Sequence, residues 1–476
     1  MKLVGIFSFV LTVCITLSGC MVGPKYSRPE TAASIADRYF YTDANNSDVN
    51  DADEIGRWWQ RFADNTTSDL VTLALSNNYD LKIAAAKVLQ ASAEYTESGG
   101  KLLPEITADF DRKMVRQSSG SPGSATADTA KVQKTRTYTG DFTISYVLDL
   151  FGRLRHSREA ELDDLLAAKA NENAIINSMI ATVITTRVNI ATFQRQIAIA
   201  TANIDSRTQT LEIIERRYSR GLVSPLDVRL GRENLAAAQS ILPTLQSRLV
   251  SENHNLDLLL ARQPGFSQPL SETLPELPAL TPAPVSIPAK LLDRRPDIKE
   301  AEMALKAQNE RVGVSIAKLY PDLSLTIGLG WSSNKSDDIF VDQAFLYSTL
   351  LNISQPIFMG GQLRAKVKAA KAKYEQLAAE YAKTVLTAMK EVEDELANEQ
   401  FQATQLKYVQ IRFREAKAAE ALAKERYQRG VETLLSVLES ERRRIAAEEQ
   451  LAILKGKIWT TRVNLFLALG GDWVSE

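Results

Sequence analysis

Apolar positions along this chain switch between two periods, and they do so twice in the same order. Residues 68–100 are rich in Ala, Leu, Lys and Glu and read as a helix that ends before Pro104. Alternation takes over at about 106–116 and 138–150. There Phe142, Ile144, Tyr146 and Leu148 interleave with Thr143, Ser145, Val147 and Asp149, the period of two that gives a strand one apolar face. Residues 153–219 then contain neither Pro nor Gly, and their apolar residues recur at three- and four-residue steps, as in Ile180, Val183, Ile184, Val188, Ile190 and Ile197. Such a helix, roughly 100 Å long at about 1.5 Å per residue, is too long for one compact core to cover. It must pack lengthwise against other helices, as coiled coils do. The same order returns with strands at about 322–331 and 344–356, where Leu323, Leu325, Ile327, Leu329 and Trp331 share a face, and with a second Pro- and Gly-free run over 362–429.

The repetition is one of sequence as well as pattern. Gly152-Arg153-Leu154-Arg155 recurs as Gly361-Gln362-Leu363-Arg364, and Arg217-Tyr218-Ser219-Arg220-Gly221 as Arg426-Tyr427-Gln428-Arg429-Gly430, both 209 residues on. Leu103-Pro104-Glu105-Ile106 matches Tyr320-Pro321-Asp322-Leu323, and Tyr79-Asp80-Leu81-Lys82 matches Pro296-Asp297-Ile298-Lys299, both 217 residues on. The difference, 217 − 209 = 8 residues, must fall in a loop between 106 and 152 that is longer in the first copy. The expected organisation is a first repeat over 63–263 with a helical hairpin at 152–263, a Pro-rich crossing segment over 264–295, a second repeat over 296–470 with its hairpin at 361–470, and a tail over 471–476.

Each long run stops at a tight break. Gly221 suits a left-handed position after a helix, Ser224 can cap the return helix, and Pro225 suits its first turn; Gly430 and Thr433 hold the matching places. The strands have the length of outer-membrane strands, about 9–11 residues. An ordinary sandwich with one wet face would show the same alternation. In hydrocarbon, however, only a closed barrel satisfies every backbone group. Closure takes about 8 strands, and a water-filled lumen takes more. One chain offers four, so three copies, giving twelve, is the smallest number that clearly leaves a pore. The expected fold class is a mixed α and β membrane protein. It is built from a duplicated helix-strand-strand-long helix-helix unit, as a trimeric 12-stranded transmembrane β-barrel continued by an α-helical barrel.

The first residues change where this fold is expected to sit. Met1–Lys2 precedes an apolar run from Leu3 to Leu17, which is short of the about 20 residues that span a bilayer and reads as a secretory signal over 1–19. Leu17-Ser18-Gly19-Cys20 matches the bacterial lipobox, in which the chain is cut before the cysteine and lipid is attached to its thiol. Residues 20–62 are then a lipidated N-terminal segment. Met21 in place of Asp leaves out the usual inner-membrane retention signal. No later stretch offers 18 uncharged apolar residues, so no transmembrane helix is expected. Hydrophobic residues at 45% and charged residues at 24% are an ordinary balance, and a net charge of −1 gives no basis for nucleic-acid binding.

Candidate chemistry is sparse. The 2 cysteines, Cys14 and Cys20, leave no thiol for a disulfide framework, a zinc site or a nucleophile in the body. The 2 histidines, His156 and His254, are too few for a multi-His metal site. His254 and Asp257 stand three apart on a helix, a spacing better explained by a surface contact than by a general base. Gly328-Leu329-Gly330 lacks the third glycine and the following helix of a dinucleotide loop. No catalytic residue, cofactor or metal is expected.

Several segments together resemble the TolC-like outer-membrane efflux proteins, in their lipoprotein (NodT/OprM-like) branch. They are Cys20-Met21-Val22-Gly23-Pro24-Lys25-Tyr26, Trp58-Trp59 with Phe62, Asp293-Arg294-Arg295-Pro296-Asp297, Gln355-Pro356-Ile357-Phe358 with Gly360-Gly361, both breaks, and Ala468-Leu469-Gly470-Gly471-Asp472-Trp473. The resemblance spans essentially the whole chain. It implies an outer-membrane, lipid-anchored homotrimer with a large periplasmic α-barrel, acting as the exit duct of a tripartite efflux pump. The implied partners are a periplasmic adaptor and an inner-membrane transporter, of RND type. It also implies that the second break closes the periplasmic end. Leu435 would form an apolar ring and Glu439, where many relatives have Asp, an acidic ring, with Arg442 nearby. The adaptor would meet Gly221, Leu222, Ser224, Gly430, Val431 and Leu434. The alternative is a lipid-anchored periplasmic coiled-coil scaffold or adaptor, which would have no use for lipid-facing strands in both repeats.

Overall fold

Helix length dominates this protein. The structure, a computed structural model, describes residues 21–29, 40, 58–62, 64–118, 132–265, 270, 294–338 and 340–471. The signal segment, Cys20, most of the crossing segment and the tail beyond residue 471 lie outside the described residues. In chain order the elements are α1 (Asn65–Asn77), α2 (Tyr79–Gly100), β1 (Glu105–Ser118), β2 (Val132–Leu148), α3 (Arg153–Ser219), α4 (Pro225–Leu259), α5 (Pro296–Ala317), β3 (Asp322–Ser333), β4 (Phe345–Ser354), α6 (Gln362–Gln428) and α7 (Leu434–Ala468). The repeats match element for element: α2 and α5 have 22 residues each, α3 and α6 have 67, and α4 and α7 have 35.

Two details differ from the sequence reading. The helix expected over 68–100 is two helices, α1 and α2, divided at Asn78 without Gly or Pro. The Asn78 side-chain amide donates to the Leu259 carbonyl at 2.8 Å, while its Oδ1 accepts from the backbone N–H of Asp80 at 2.7 Å, capping α2. The strand expected from about 138 begins at Val132, because β1 supplies a ladder partner for every added residue, from Tyr138 opposite Arg112 to Val132 opposite Ser118.

The four strands form one antiparallel sheet in the order β1-β2-β3-β4, so β2 of the first repeat pairs with β3 of the second. Register aligns one apolar face across it. Ile106 lies opposite Ile144, Ile144 opposite Ile327, Leu325 opposite Leu351, and Leu323 opposite Ile353. Arg112 falls on this face too, and its guanidinium lies over the Tyr138 ring at 5.7 Å, a cation–π contact that gives the charge a partner. β1 and β4 are the two edges, and β4 is exposed along its whole length.

The chain divides into two compact units. The first, Met1–Pro29, Val88–Ala168 and Ala301–Tyr381, contains the sheet. Here the segment 21–29 is tied down: the Val22 N–H donates to the Phe151 carbonyl at 3.2 Å, and the Tyr26 hydroxyl and Arg28 guanidinium both donate to the buried Glu302. The second, Glu30–Lys87, Lys169–Glu300 and Ala382–Glu476, holds the largest apolar core. In it Trp58 stacks on Phe466 and Phe62 on Trp459, with Ile180, Val183 and Ile184 of α3 packed alongside. Arg295 reaches this unit's α7, donating to the Ala468 carbonyl at 3.0 Å where a helix C-terminus favours a cation. One window of α3 is long and apolar enough to cross a bilayer, but 61% of it is buried inside the protein, which marks a core helix.

Candidate functional site at the hairpin tips

Each hairpin turns on one glycine. Gly221 has φ +70° and Gly430 φ +80°, a conformation side chains resist. The N–H of Leu222 donates back to the Arg217 carbonyl at 3.0 Å, and that of Val431 to the Arg426 carbonyl at 3.1 Å, closing the last turns of α3 and α6. Ser224 then caps α4 in a reciprocal box: its hydroxyl accepts from the Asp227 N–H at 3.3 Å, and the Asp227 carboxylate accepts from the Ser224 N–H at 2.8 Å. Thr433 caps α7, accepting from the Ser436 N–H.

The two tips adhere to one another. The Arg217 guanidinium lies over the Tyr427 ring at 4.7 Å and donates to the Tyr427 carbonyl. Beneath them Ile214, Val228, Tyr427, Leu434 and Val437 form a small core. Of the residues expected to meet an adaptor, Leu434 is only 6% exposed and packs in this core. Gly221, Leu222, Ser224, Gly430 and Val431 are exposed, and Leu222 and Val431 present apolar side chains to the outside.

The residues expected to line the periplasmic end sit on α7. Leu435 is 73% exposed and lies one turn before Glu439. Glu439 is not a bare carboxylate. Arg442 donates to both of its oxygens at 2.8 Å, and Arg443 donates to Oε1 at 2.7 Å. These hydrogen bonds, from Arg442 and then Arg443, hold the carboxyl at about 2. Two guanidiniums around one carboxylate leave the spot net positive in the single chain. Arg443 was missing from the sequence reading. Its signal was the i,i+4 spacing from Glu439, hidden in the run Arg442-Arg443-Arg444.

The third arginine turns inward. Arg444 pairs with Glu420 at 2.5 Å and Glu448 at 2.7 Å. Glu441, two residues after Glu439, is buried with Lys424 at 2.8 Å and the Thr210 hydroxyl at 3.0 Å. Burial alone would lower the Lys424 ammonium; hydrogen bonds to Glu420 and Glu441 reverse this and hold it above its ordinary value. This network bonds α3, α6 and α7 together below the tips, and it is not legible in the sequence, because the same letters spell a solvated face.

The surface contact expected for His254 and Asp257 does not hold for Asp257. Asp257 is buried and accepts from the Gly265 N–H at 2.8 Å, a role in closing the turn after α4. Among the described residues, no group of three His, Cys, Asp or Glu side chains is placed to hold a metal ion.

A sheet with a mostly apolar face and two edges unpaired within the chain, joined to long capped hairpins, fits one class, the subunit of a membrane channel. The chain belongs to the outer membrane efflux protein family, which it matches over residues 70–262 and 287–471. It is 29% identical over 470 residues to the pyoverdine export outer membrane protein OpmQ of Pseudomonas aeruginosa, covering 98% of this chain and 97% of that one. It is 31% identical over 472 residues to the toluene efflux pump outer membrane protein TtgF of Pseudomonas putida, covering 97% and 96%. The solved outer-membrane channel OprN superimposes with a TM-score of 0.85 at 28% identity, over 95% of this chain and 100% of that one. The transmembrane channel CusC does so with a TM-score of 0.81 at 27% identity, over 95% and 100%. The protein is thus an outer-membrane exit duct for efflux, from a family of channels rather than enzymes.

Proposed function

We propose that three copies of this chain close a 12-stranded barrel in the outer membrane, continued in the periplasm by a helical barrel. The observation that carries this reading is the sheet: four strands, a continuous apolar face, and edges at β1 and β4 that are unpaired within the chain. Bare edges are untenable in hydrocarbon. Cys20 is the proposed lipid attachment and is a secondary anchor beside the barrel. The exposed tip residues Gly221, Leu222, Ser224, Gly430 and Val431 meet a periplasmic adaptor, and an inner-membrane transporter of RND type supplies energy. Leu435, Glu439 and Arg442 line the closed periplasmic end, where an apolar constriction resists wetting; Arg443 joins them. Relatives named for pyoverdine export, toluene efflux and cation efflux support a duct whose cargo is chosen by its transporter.

Detergent-extracted protein measured by light scattering tests the assembly, with a particle of three copies expected. A monodisperse single copy that forms no channel in planar bilayers would overturn it.

A further inference from the structure

The two repeats meet inside the chain through one interface and leave its equivalent bare. In the first unit, α3 of repeat one faces α5 of repeat two, where Arg311 pairs with Asp164, Nη1 to Oδ1 at 3.4 Å. Arg153, at the start of α3, pairs with Asp322, at the start of β3, at 3.3 Å. β2 pairs with β3, with Ile144 opposite Ile327. By repetition, α6 and β4 correspond to α3 and β2, and α2 and β1 to α5 and β3. These counterparts leave faces exposed in the single chain. β4 and β1 are the sheet's edges. Ala160 of α3 is buried, whereas its equivalent Ala369 of α6 is exposed. Beyond β4, Ile357 and Phe358 are 89% and 88% exposed, and on the other side Leu89 and Leu103 stand out in the open.

We propose that a second copy of this chain covers these faces in the register the intrachain interface dictates. The proposal rests on the trimer reading and adds to it which residues meet. A shift of 209 carries α3 and β2 onto α6 and β4, and a shift of 217 carries α5 and β3 back onto α2 and β1. Ile144 opposite Ile327 therefore becomes Ile353 opposite Phe110 of the partner subunit.

Two independent features of the sequence agree with this register. The first is facing. On the apolar face β4 presents odd-numbered residues, Ile353 opposite Leu323 and Leu351 opposite Leu325, while β1 presents even-numbered ones such as Ile106 opposite Ile144. The derived pairing sets odd against even, apolar on apolar; a slip of one residue would set Ile353 against Asp109 or Asp111 of the partner subunit. The second is charge. Asp164 and Arg311 map onto Lys373 and Glu94 of the partner subunit, so the signs reverse and the attraction remains. Both side chains are exposed in the single chain, each bonded to a neutral glutamine: Lys373 to Gln376 at 3.2 Å, and Glu94 to Gln90 at 2.9 Å. Arg153 and Asp322 map onto Gln362 and Glu105 of the partner subunit, again a donor facing a carboxylate.

Paired cysteines in the full-length protein test the register. The native cysteines both lie in the first twenty residues, so introduced thiols have no competitor in the body. With Ile353→Cys fixed, a short thiol cross-linker should give covalent multimers several-fold more readily with Phe110→Cys than with Ile106→Cys or Met114→Cys. Independently, Lys373→Glu should lower the melting temperature of the assembled particle, and adding Glu94→Lys should restore it. A particle of three copies in which the cross-link is absent or peaks at a shifted partner, or in which the charge swap gives no rescue, overturns the register and leaves the trimer standing. A single-copy particle overturns both.

Discussion

Glu439 shows what one side chain's neighbours do to an expected role. Its carboxyl is held near about 2, below the ordinary 4.5. Because the folded value is depressed, the stabilisation is complete above about 4.5 and is lost as pH falls toward 2. Conductance in planar bilayers should therefore be flat over about pH 5 to 8 as far as this residue is concerned; a step there that disappears in Glu439→Gln would contradict the clamp. Glu439→Ala should raise conductance by loosening the closed end. It should also shift selectivity toward anions, since Arg442 and Arg443 lose their counter-charge. Leu434 and Leu435 make a second contrast. Leu434→Ala opens a cavity in the tip core and should cost about 2–4 kcal/mol locally, read as faster amide exchange in α6 and α7. Leu435→Ala should leave exchange unchanged. Sequence alone could not separate these neighbours, because which one faces inward depends on where Tyr427 and Val228 pack against α7.

At the scale of elements, the long helices were the most legible feature, since sixty-seven residues without Pro or Gly leave little alternative. The tip chemistry was legible as well, because Gly221, Ser224 and Pro225 have local meanings independent of partners. Gly221→Ala, forced into the left-handed region, should destabilise the tip by about 1 kcal/mol, and Ser224→Ala by a similar about 1 kcal/mol through loss of the capping box. Exchange at the last turn of α3 and the first of α4 would report both; unchanged protection would show the tip to be held by packing alone. The early start of β2 was not legible. Gln133-Lys134-Thr135-Arg136 has no alternation of its own and is a strand only because β1 lies beside it. The division at Asn78 was hidden for the same reason, as the Leu259 carbonyl that fixes it comes from a helix far along the chain.

For the whole molecule, repetition was the strongest signal in the sequence. Matching helices of 22, 67 and 35 residues make the repeats two half-units of one design, and in the proposed trimer each would face a neighbour of the same kind. Lys424→Ala, which strips Glu441 of its cation, should lower the melting temperature of the assembled duct far more than loss of an exposed ion pair, since an orphaned buried charge costs about 3–5 kcal/mol; a shift no larger than that of Lys390→Ala, which removes only the exposed Lys390–Asp394 pair, would sink this view of the network. The two longest helices also have a mechanical meaning. An unbroken hydrogen-bonded rod has no hinge, so a push at a tip is not absorbed along α3 or α6. The return helix α4 is the softer member, with Pro243 inside it. In the proposed assembly, any widening of the inner mouth would then fall to bending of the shorter return helix α4 while the long helices turn as stiff levers.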